Sequence, residues 1–522
     1  MSRVQEMKII NTYEHLFSND LLKTDLKERS VRGGIITMIC QVAETVIRIG
    51  SIAILARLLV PEYFGLISMV TALTVVAERL KDFGLSSATV QQKNLTHEQV
   101  SNLFWINTGI GFVLMLIIAS LAILIAKFYA EPRLAGITIA ISFRFLIGGM
   151  TVQHQALLHR QMKFTAMGTI SLTASVASTV IAIVLAVNGY GYWALVWREL
   201  SNGLFIALGT WIGCPWIPGL PNKSGSIRDM LNFGKHIAGF NVLVYFAANM
   251  DQVLIGKFFG PIQVGLYRQA YTLISMPVMQ FVDPVNRVAR PALSALQDEA
   301  ESIKKYYKKI LTMTNFFTMP LVLFLAVFAR EVILVVVGEK WIDSVELFRI
   351  LALSFFVVPA SDSTGILLIT TGRARKYFDL GVMTAIILVF SFSVGSLWGA
   401  PGVAYAYLIA RALLLVLRLH YSFEGTVINV RIFYKAIERP LVASLAMTLV
   451  LVGLKSALVI HNNFLMLGLC MPIAILVYLA TWMLMSGGRS ELRQILLDVL
   501  APVLSERHLS LLGIRKKGIQ AA

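Results

Sequence analysis

Apolar runs of about 20 residues recur from one end of the chain to the other, and they constrain its fold more than any other feature. A helix rises ~1.5 Å per residue, so a run of this length crosses the ~30 Å hydrocarbon core of a bilayer. Only 14% of the 522 residues are charged, whereas roughly a quarter are charged in soluble domains. The sequence therefore predicts an all-α polytopic membrane protein.

The apolar runs divide into about 14 transmembrane helices, an even number that leaves both termini on the same side of the membrane. Loops on that side carry most of the 46 lysines and arginines, with Arg418 counted among them, whereas opposite loops such as 188–191 and 398–402 carry none. The positive-inside rule predicts that the basic side is cytoplasmic. The net charge of +17 then reflects orientation in the membrane, and nucleic-acid binding is not expected. The helix centres lie near Ile47, Val70, Leu114, Ile141, Val180, Phe205, Val244, Ile274, Phe324, Phe355, Ile387, Leu413, Leu449 and Ala474.

Two basic segments are predicted to lie against the inner leaflet. Lys304, Lys305, Lys308 and Lys309 are close neighbours in sequence, and the tail from Gly487 combines basic residues with leucines at helical spacing. Such segments are attracted to anionic lipid headgroups. The alternatives are that the lysines attract an anionic lipid-linked donor and that the tail is simply a solvated terminus.

One phrase of the sequence occurs twice, and two further matches follow it in the same order at a nearly constant separation. Six predicted spans separate the copies, so both copies enter the membrane in the same direction. The repeat is therefore predicted to be parallel, with two six-helix lobes around a central cleft that opens alternately to either side. The matching segments are 57–66 with 257–266, 159–164 with 372–377, and 191–195 with 402–406.

The first repeated phrase contains a proline and a glycine in each copy. Pro61 and Pro261 are predicted to end the first helix of each lobe at its non-cytoplasmic end, because proline cannot continue the helical hydrogen-bond ladder. Gly65 and Gly265 are expected to let the return helix begin close by. The phrase is thus interpreted as a tight hairpin, and a structural role is favoured over a binding role.

The repeat and the spans together predict the domain organisation. The last two helices lie outside the repeat, and every loop is too short to form a folded extramembrane domain. The predicted segments are a cytoplasmic N-terminal segment (1–32), an N-lobe (33–215), a cytoplasmic linker (216–232), a C-lobe (233–422), two further helices (423–486) and a basic amphipathic tail (487–522).

The chain resembles the polysaccharide transporter family of the multidrug/oligosaccharidyl-lipid/polysaccharide exporter superfamily, and within it the branch of colanic-acid-type exporters. The resemblance covers about the first 420 residues, and beyond them only hydrophobic spans support it. It rests on the phrases RGGIITMICQVAETVIRIGSIAILARLLVPEYFGL, DFGLSSATVQQKNLTHEQVSNLFWIN, ALLHRQMKF, GYGYWALV and DQVLIGKFFGPIQVGLYRQAYTL.

This resemblance implies a bacterial inner-membrane flippase, a transporter and not an enzyme. Its substrate would be an undecaprenyl-diphosphate-linked oligosaccharide, moved from the cytoplasmic to the periplasmic leaflet for surface polysaccharide synthesis. The family also implies two lobes around a cationic cavity. The expected partners are this lipid-linked oligosaccharide, membrane lipids, and a polysaccharide polymerase with its export machinery. No cofactor or metal is expected, and a proton or sodium gradient is the expected driving force.

Charged residues inside the spans are the candidates for the cavity, because each costs about 2.5–3.5 kcal/mol near the midplane and needs a partner or a role. Arginines outnumber acids six to three among them. A diphosphate would favour this balance, since arginine offers it several donors and stays protonated, whereas a cationic drug would favour the opposite. The candidates are Glu44, Arg48, Arg144, Arg198, Glu199, Asp251, Arg268, Arg349 and Arg411.

Six of these residues are predicted to bind substrate. Glu44 and Arg48 lie one helical turn apart, so they either pair with each other or form a polar stripe on the cleft wall. Arg198 and Arg411 correspond in the repeat, which would place them on opposing walls, and snorkelling to the headgroups is the alternative. The predicted set is Arg48 and Arg268, as the main pyrophosphate contacts, with Arg144, Arg198, Arg411 and Glu44.

Asp251 has three interpretations. It binds a coupling proton or sodium ion, neutralises an arginine, or lies at the outer interface in contact with water. From a helix start near Phe233 it lies roughly 27 Å along the helix, in the outer part of the span, at ~1.5 Å per residue. That depth favours an arginine partner, with Arg48 and Arg268 as the candidates.

Other function classes compete with the flippase. Within the superfamily the alternatives are a cation-coupled multidrug exporter and a lipid II flippase. A membrane glycosyltransferase or polymerase is the alternative from another class, and it would require clustered acids with a metal or a sizeable outer loop. The predicted outer loops are too short for such a site.

Overall fold

A computed structural model describes residues 26–80, 84–92, 95–221, 245–297, 299–458 and 460–500. Within these ranges the chain forms helices and turns with no strand, so the prediction of an all-α protein is confirmed. Most of the predicted N-terminal segment, most of the linker, the tail beyond residue 500 and the predicted span centre Val244 lie outside the described residues.

The helices of the first half follow one another with short turns, and α5 and α6 meet at a bend of 41°. In residues 26–221 they are α1 (Leu26–Leu58), α2 (Pro61–Leu80), α3 (Leu85–Gln91), α4 (His97–Tyr129), α5 (Arg133–Gly149), α6 (Val152–Arg160), α7 (Phe164–Val187) and α8 (Tyr192–Gly213).

The second half begins with a long helix that is interrupted at Gly260, where the backbone has φ 77°. Short 3₁₀ turns occur at Glu339–Trp341 and Ser396–Trp398. From residue 250 the helices are α9 (Met250–Ala295), α10 (Ala300–Val327), α11 (Ala329–Val336), α12 (Ser344–Thr370), α13 (Ala374–Gly395), α14 (Gly399–Phe423), α15 (Val430–Ala457), α16 (Asn463–Leu484) and α17 (Gly488–Leu500).

The described helices are built to lie in lipid. Eight of them are long and apolar enough to cross a membrane, or nine if the bent α5–α6 pair is one span. Every predicted span centre that falls in the described residues lies within a helix. Large apolar side chains point outward along these helices, for example Leu449, which is 75% exposed. In water such surfaces would be costly, and in a bilayer they face hydrocarbon. The chain is therefore a multi-pass membrane protein.

Each repeated Pro-Gly phrase forms a hairpin turn. In the first hairpin α1 ends at Leu58 and Pro61 begins α2, where the missing N–H of proline costs nothing because the first-turn donors of a helix lack intrahelical partners. In the second hairpin Gly260 breaks α9 immediately before Pro261, and its positive φ is a conformation that glycine adopts without strain. The predicted helix ends are thus in place.

The glycines of the phrase have a different role from the one expected. Gly65 and Gly265 lie in the first turns of the return helices, and each packs against the other hairpin. A Cβ added to Gly65 would lie 1.7 Å from the carbonyl oxygen of Pro261, and one added to Gly265 would lie 2.0 Å from that of Pro61. The expectation that they open the turn is corrected: they allow the backbones of the two hairpins to touch reciprocally.

Further contacts cap helix ends beside these hairpins. Lys340 Nζ donates to the carbonyl oxygens of Arg57 at 2.9 Å and Leu58 at 3.2 Å. Trp341 Nε1 donates to the carbonyl oxygen of Ala56 at 2.9 Å. These are the last carbonyls of α1, which have no partner within the helix. The 339–341 turn therefore completes the hydrogen bonding of the first hairpin.

The chain divides into two compact units. The first comprises the residues up to Thr272 with Val336–Leu347 and Gly381–Tyr407, and the second comprises Leu273–Val335, Phe348–Leu380 and the residues from Leu408. In the first unit α4 packs on α5 and α7 packs on both α1 and α8; in the second, α15 packs on α10 and α16. These units do not coincide with the predicted lobes, whose boundaries stay a prediction.

Candidate functional site

A polar cavity of about 210 Å³ lies within the first unit, between α1, α5, α7 and α8. We call it the N-lobe cavity. It brings together Glu44, Arg48, Arg144 and Arg198, four of the six residues predicted to bind substrate, and adds Glu199. Its full lining is Glu44, Ile47, Arg48, Arg144, Ser175, Ser178, Thr179, Arg198, Glu199 and Asn202.

Helix periodicity explains how these side chains meet. Glu44, Ile47 and Arg48 are one turn apart on α1, so they share a face. Ser175, Ser178 and Thr179 repeat the same spacing on α7. The two helices pack against each other, and a hydrogen bond from Thr179 Oγ1 to Ser51 Oγ, 3.2 Å long, joins them. Polar side chains at helical spacing thus form two of the cavity walls.

The charges in the cavity do not cancel. Arg144 Nη1 lies 2.9 Å from Glu199 Oε2, and this ion pair joins α5 to α8. Glu44 and Arg48 both line the cavity, but within the described part of the chain they form no ion pair with each other, so a self-neutralised pair is not what the structure contains. Arg198 lies within electrostatic reach of Arg48 and Glu199. Three arginines face two glutamates, which leaves one net positive charge.

The cavity is therefore suited to an anion. Arg48 and Arg198 come from different helices and repel each other unless a negative group lies between them. Guanidinium groups bind phosphate oxygens through several N–H donors at once. The hydroxyl and amide groups of Ser175, Ser178 and Asn202 offer additional hydrogen bonds of the kind that phosphate esters and sugars accept.

Asp251 lies elsewhere in the first unit, in α9 before the Gly260 break. It is 3% exposed, and its Oδ1 accepts a hydrogen bond from the backbone N–H of Gln252 at 2.7 Å. The hairpin returns Tyr267 and Arg268 to its side, so that both interact electrostatically with the carboxyl group. Asp251 is thus buried and is not at a water-exposed interface.

Arg268, predicted with Arg48 as a main pyrophosphate contact, is not among the residues that line the N-lobe cavity. It is half-buried near Asp251, and its guanidinium carbon lies 5.9 Å from the ring centre of Tyr271. The structure therefore brings Arg48 to the cavity and places Arg268 with the carboxylate of its own hairpin.

Arg411 belongs to a separate cluster in the second unit. Asp362 Oδ1 in α12 lies 3.6 Å from Arg411 Nη1 and 2.5 Å from Arg418 Nη1, both in α14. The two arginine side chains are only 14% and 12% exposed. Arg411 lies about 18 Å along α14 at ~1.5 Å per residue, too deep for snorkelling at the helix start. Arg418, counted as a cytoplasmic loop residue, is corrected to a helical residue with a carboxylate partner.

Two members of these sites were missed by the sequence reasoning. Asp362 stands in an apolar run, which is the same signal that drew attention to Asp251, and that signal would have found it. Arg418 carries no such signal, because it lies near the end of a span, where basic residues also occur in loops. Arg349 is an exposed residue of α12 and does not line the N-lobe cavity.

Comparison with known proteins identifies the family. A family model described as polysaccharide biosynthesis protein matches residues 54–346, more than half of the chain. The chain belongs to this family. Lipopolysaccharide biosynthesis protein WzxC of Escherichia coli (strain K12) is 25% identical to it over 396 residues, which are 74% of this chain and 79% of WzxC. Teichuronic acid biosynthesis protein TuaB of Bacillus subtilis (strain 168) is 26% identical over 426 residues, 80% of this chain and 87% of TuaB.

The fold is also known. The structure of the lipid II flippase MurJ in an inward closed conformation matches 86% of this chain and 98% of its own, with a TM-score of 0.69 and 14% identity. At that identity the match establishes the fold alone. The family resemblance drawn from the sequence is confirmed, and so is the prediction of a polysaccharide-pathway transporter that is not an enzyme.

Proposed function

We propose that the protein moves a polyprenyl-diphosphate-linked oligosaccharide from the cytoplasmic to the periplasmic leaflet of a bacterial inner membrane, by alternating access, for surface polysaccharide synthesis. The observation that carries this proposal is the net positive N-lobe cavity inside a membrane bundle. Membership of a polysaccharide biosynthesis family supports the pathway. The expected partners are the lipid-linked oligosaccharide, the surrounding lipids, and a polymerase with its export machinery.

In this proposal the diphosphate binds between Arg48 and Arg198. Glu199 is already engaged by Arg144 at 2.9 Å, so only Glu44 opposes the two remaining arginines. An arriving diphosphate removes the repulsion between the two guanidinium groups, which supplies part of its binding energy. Arginine is the basic side chain that matches phosphate geometry with several donors at once, which suits it to such a site.

The proposed layout has 14 transmembrane helices in two parallel six-helix lobes plus two C-terminal helices, with both termini cytoplasmic. The reciprocal contact of Gly65 with Pro261 and of Gly265 with Pro61 supports a gate at the non-cytoplasmic end. Release to the periplasmic leaflet would require these hairpins to separate, with loss of the bonds that Lys340 donates to α1. Alternating access then consists of making and breaking this contact.

We further propose that a proton or sodium gradient drives transport and that Asp251 balances Arg268 without carrying the coupling ion. The burial of Asp251 within electrostatic reach of Arg268 supports this role, because opposite charges close together offset each other where little water is present. Transport by an Asp251→Asn variant should fall but keep its normal dependence on pH and sodium. Loss of that dependence would instead assign the ion to Asp251.

The proposed diphosphate site is tested by Arg48→Gln and Arg198→Gln, with Arg349→Gln as the matched control outside the cavity. A hydrogen-bonded charge contributes about 1.5–3 kcal/mol, so each cavity variant should bind the diphosphate roughly 10- to 150-fold more weakly. In cells that lack the native gene, surface polysaccharide should fall and lipid-linked oligosaccharide should accumulate at normal protein abundance. Full export by both cavity variants would overturn the proposal.

The competing functions predict different results. A multidrug exporter for cations would need an acidic cavity, and the N-lobe cavity has the opposite net charge. A lipid II flippase would share the diphosphate contact, so the same variants would accumulate lipid II instead of the oligosaccharide. Identification of the accumulated lipid by mass spectrometry therefore decides between the two polyprenyl-diphosphate substrates.

A further inference from the structure

A second cationic cavity, of about 170 Å³, lies in the second unit between α10 and α17. We call it the lysine pocket. One wall is formed by α10, whose four lining residues are spaced at i, i+3, i+4 and i+7 and therefore share one helix face. The other wall is formed by the amphipathic α17. The lining residues are Lys305, Lys308, Lys309, Thr312, Glu491, Gln494 and Ile495.

The α17 wall is held in place by packing and by charge. Leu492 and Ile495 are buried in a core cluster that includes Trp482. Arg439 forms an ion pair with Glu491 and also donates to the carbonyl oxygen of Ser486. The helix is thus docked on the bundle, and the pocket is a formed cavity with two fixed walls.

The charge of the lysine pocket is unbalanced. Among the residues that the structure describes there, three lysines and one acid line it, and that acid, Glu491, is already paired with Arg439. Lys305 and Lys308 make no ion pair with any residue that the structure describes. Their neighbour Lys304 is outside the pocket and is paired with Glu301 at 2.7 Å. Two neighbouring lysines with no acidic partner in the described part of the chain, here Lys305 and Lys308, raise the local potential and attract an anion.

The position of the pocket indicates which anion it takes. Lys305 to Lys309 lie roughly 8–14 Å along α10 from its first residue, at ~1.5 Å per residue, before the apolar part of this membrane-spanning helix. This is the depth of lipid headgroups at the side predicted to be cytoplasmic. An ammonium group binds a phosphate as a point charge, and the Gln494 amide offers a further donor.

We propose that the lysine pocket binds the phosphate group of an anionic membrane lipid. This site is separate from the N-lobe cavity and goes beyond the proposed transport function. It gives the protein a specific anionic lipid at the junction of α10 and α17, where the amphipathic helix is held against the bundle.

The proposal is tested by native mass spectrometry of the full-length protein titrated with phosphatidylglycerol. The Lys305→Gln/Lys308→Gln/Lys309→Gln variant should weaken the tightest binding event on the order of 100-fold, since each lysine near an anionic lipid contributes about fivefold. The matched control is Lys304→Gln/Arg431→Gln/Lys435→Gln, which removes the same charge from residues outside the pocket and should keep the wild-type affinity. Equal weakening by both triple variants would overturn the proposal, because it would show nonspecific surface charge.

Two further arms complete the test. Phosphatidylcholine should bind far more weakly than phosphatidylglycerol, and equal binding would overturn the proposal. Inorganic phosphate should compete only at large excess, and binding as tight as that of the lipid would assign the site to a soluble phosphate. If the triple variant does not fold, Lys305→Gln alone should weaken lipid binding about fivefold, and an unchanged affinity would count against the site.

Discussion

Replacing Gly65 by alanine should separate the two hairpins that the repeated phrase forms. A Cβ at this position would lie 1.7 Å from the carbonyl oxygen of Pro261, and Cβ atoms essentially never approach heavy atoms closer than 3.0 Å. The backbones must therefore move apart by at least the difference, 1.3 Å. The contact is backbone to backbone, so no side-chain rotation relieves it.

The energetic cost sets the size of the effect. Inserting one methyl group into a packed contact costs typically about 1–3 kcal/mol. If the cost falls only on the state in which the hairpins touch, the ratio of touching to separated states should decrease roughly 5- to 150-fold. The variant should thus favour the state that is open at the non-cytoplasmic end.

Cysteine labelling measures this shift. Leu266 is buried in the second hairpin, so in a background without Cys40, Cys214 and Cys470 a Leu266→Cys reporter should react slowly with a polar maleimide. Adding Gly65→Ala should raise the labelling rate by up to the same 5- to 150-fold factor.

The matched control for this assay is Gly50→Ala. This variant also replaces a glycine by alanine, but in α1, at a position where an added Cβ meets nothing within 4 Å. It should therefore leave the labelling rate of Leu266→Cys unchanged. An unchanged rate in a folded Gly65→Ala protein would refute the reasoning that this close contact holds the hairpins together.

Two other predictions concern ion pairs. Asp362→Asn leaves Arg411 and Arg418 without their shared carboxylate, which should cost about 1–2 kcal/mol. Thermal unfolding in detergent should then shift down by about 1–2 °C for a chain of this length, and a wild-type melting temperature would contradict this. Hydrogen bonds from Arg133 lower the pKa of Glu131 below its ordinary value of 4.5. The pair therefore contributes stability above that pH and loses it as the pH falls through the folded-state pKa. The stability difference between wild type and Arg133→Gln should shrink from pH 7 to pH 3, and a constant difference would argue against the pair.

The sequence predicts those features that depend on neighbours along one helix. Spans follow from apolar length, and shared faces such as that of Glu44 and Arg48 follow from the 3.6-residue period. The hairpin also follows from local chemistry, because Gly260 takes a positive φ and Pro261 lacks the N–H that would continue the hydrogen-bond ladder of α9. These predictions need no knowledge of which helices pack together.

Contacts between helices could not be predicted in the same way. A count of charges favours a cationic cavity, but it does not say that Arg144 pairs with Glu199 while Arg48 forms no ion pair with any described residue. The count of charges also grouped Arg268 with Arg48 as the main pyrophosphate contacts. In the structure the second hairpin instead brings Arg268 to the side of Asp251. Helical periodicity fixes the face on which a side chain lies, whereas its partner depends on helix packing, which is set by the whole bundle.

The two ion-pair clusters have a relation that the repeat makes visible. The segments 159–164 and 372–377 form the turns before α7 and α13, so the repeat makes α5–α6 equivalent to α12, and α8 equivalent to α14. In the first half an arginine of α5 binds a glutamate of α8, and in the second half an aspartate of α12 binds arginines of α14.

In each half, therefore, ion pairs join the same two equivalent helices. The basic residue lies on the first of the two helices in the first half and on the second of them in the second half. An ion pair between these two helices helps each half to move as a rigid body, as alternating access requires. It does so whichever of the two helices carries the acid. Each half has one surplus positive charge, and the halves differ in where it lies: in the first half Arg198 adjoins the ion pair within an open cavity, whereas in the second half both arginines contact Asp362. The diphosphate contact is accordingly expected in the first half, and the symmetric placement of Arg198 and Arg411 across one site is not required.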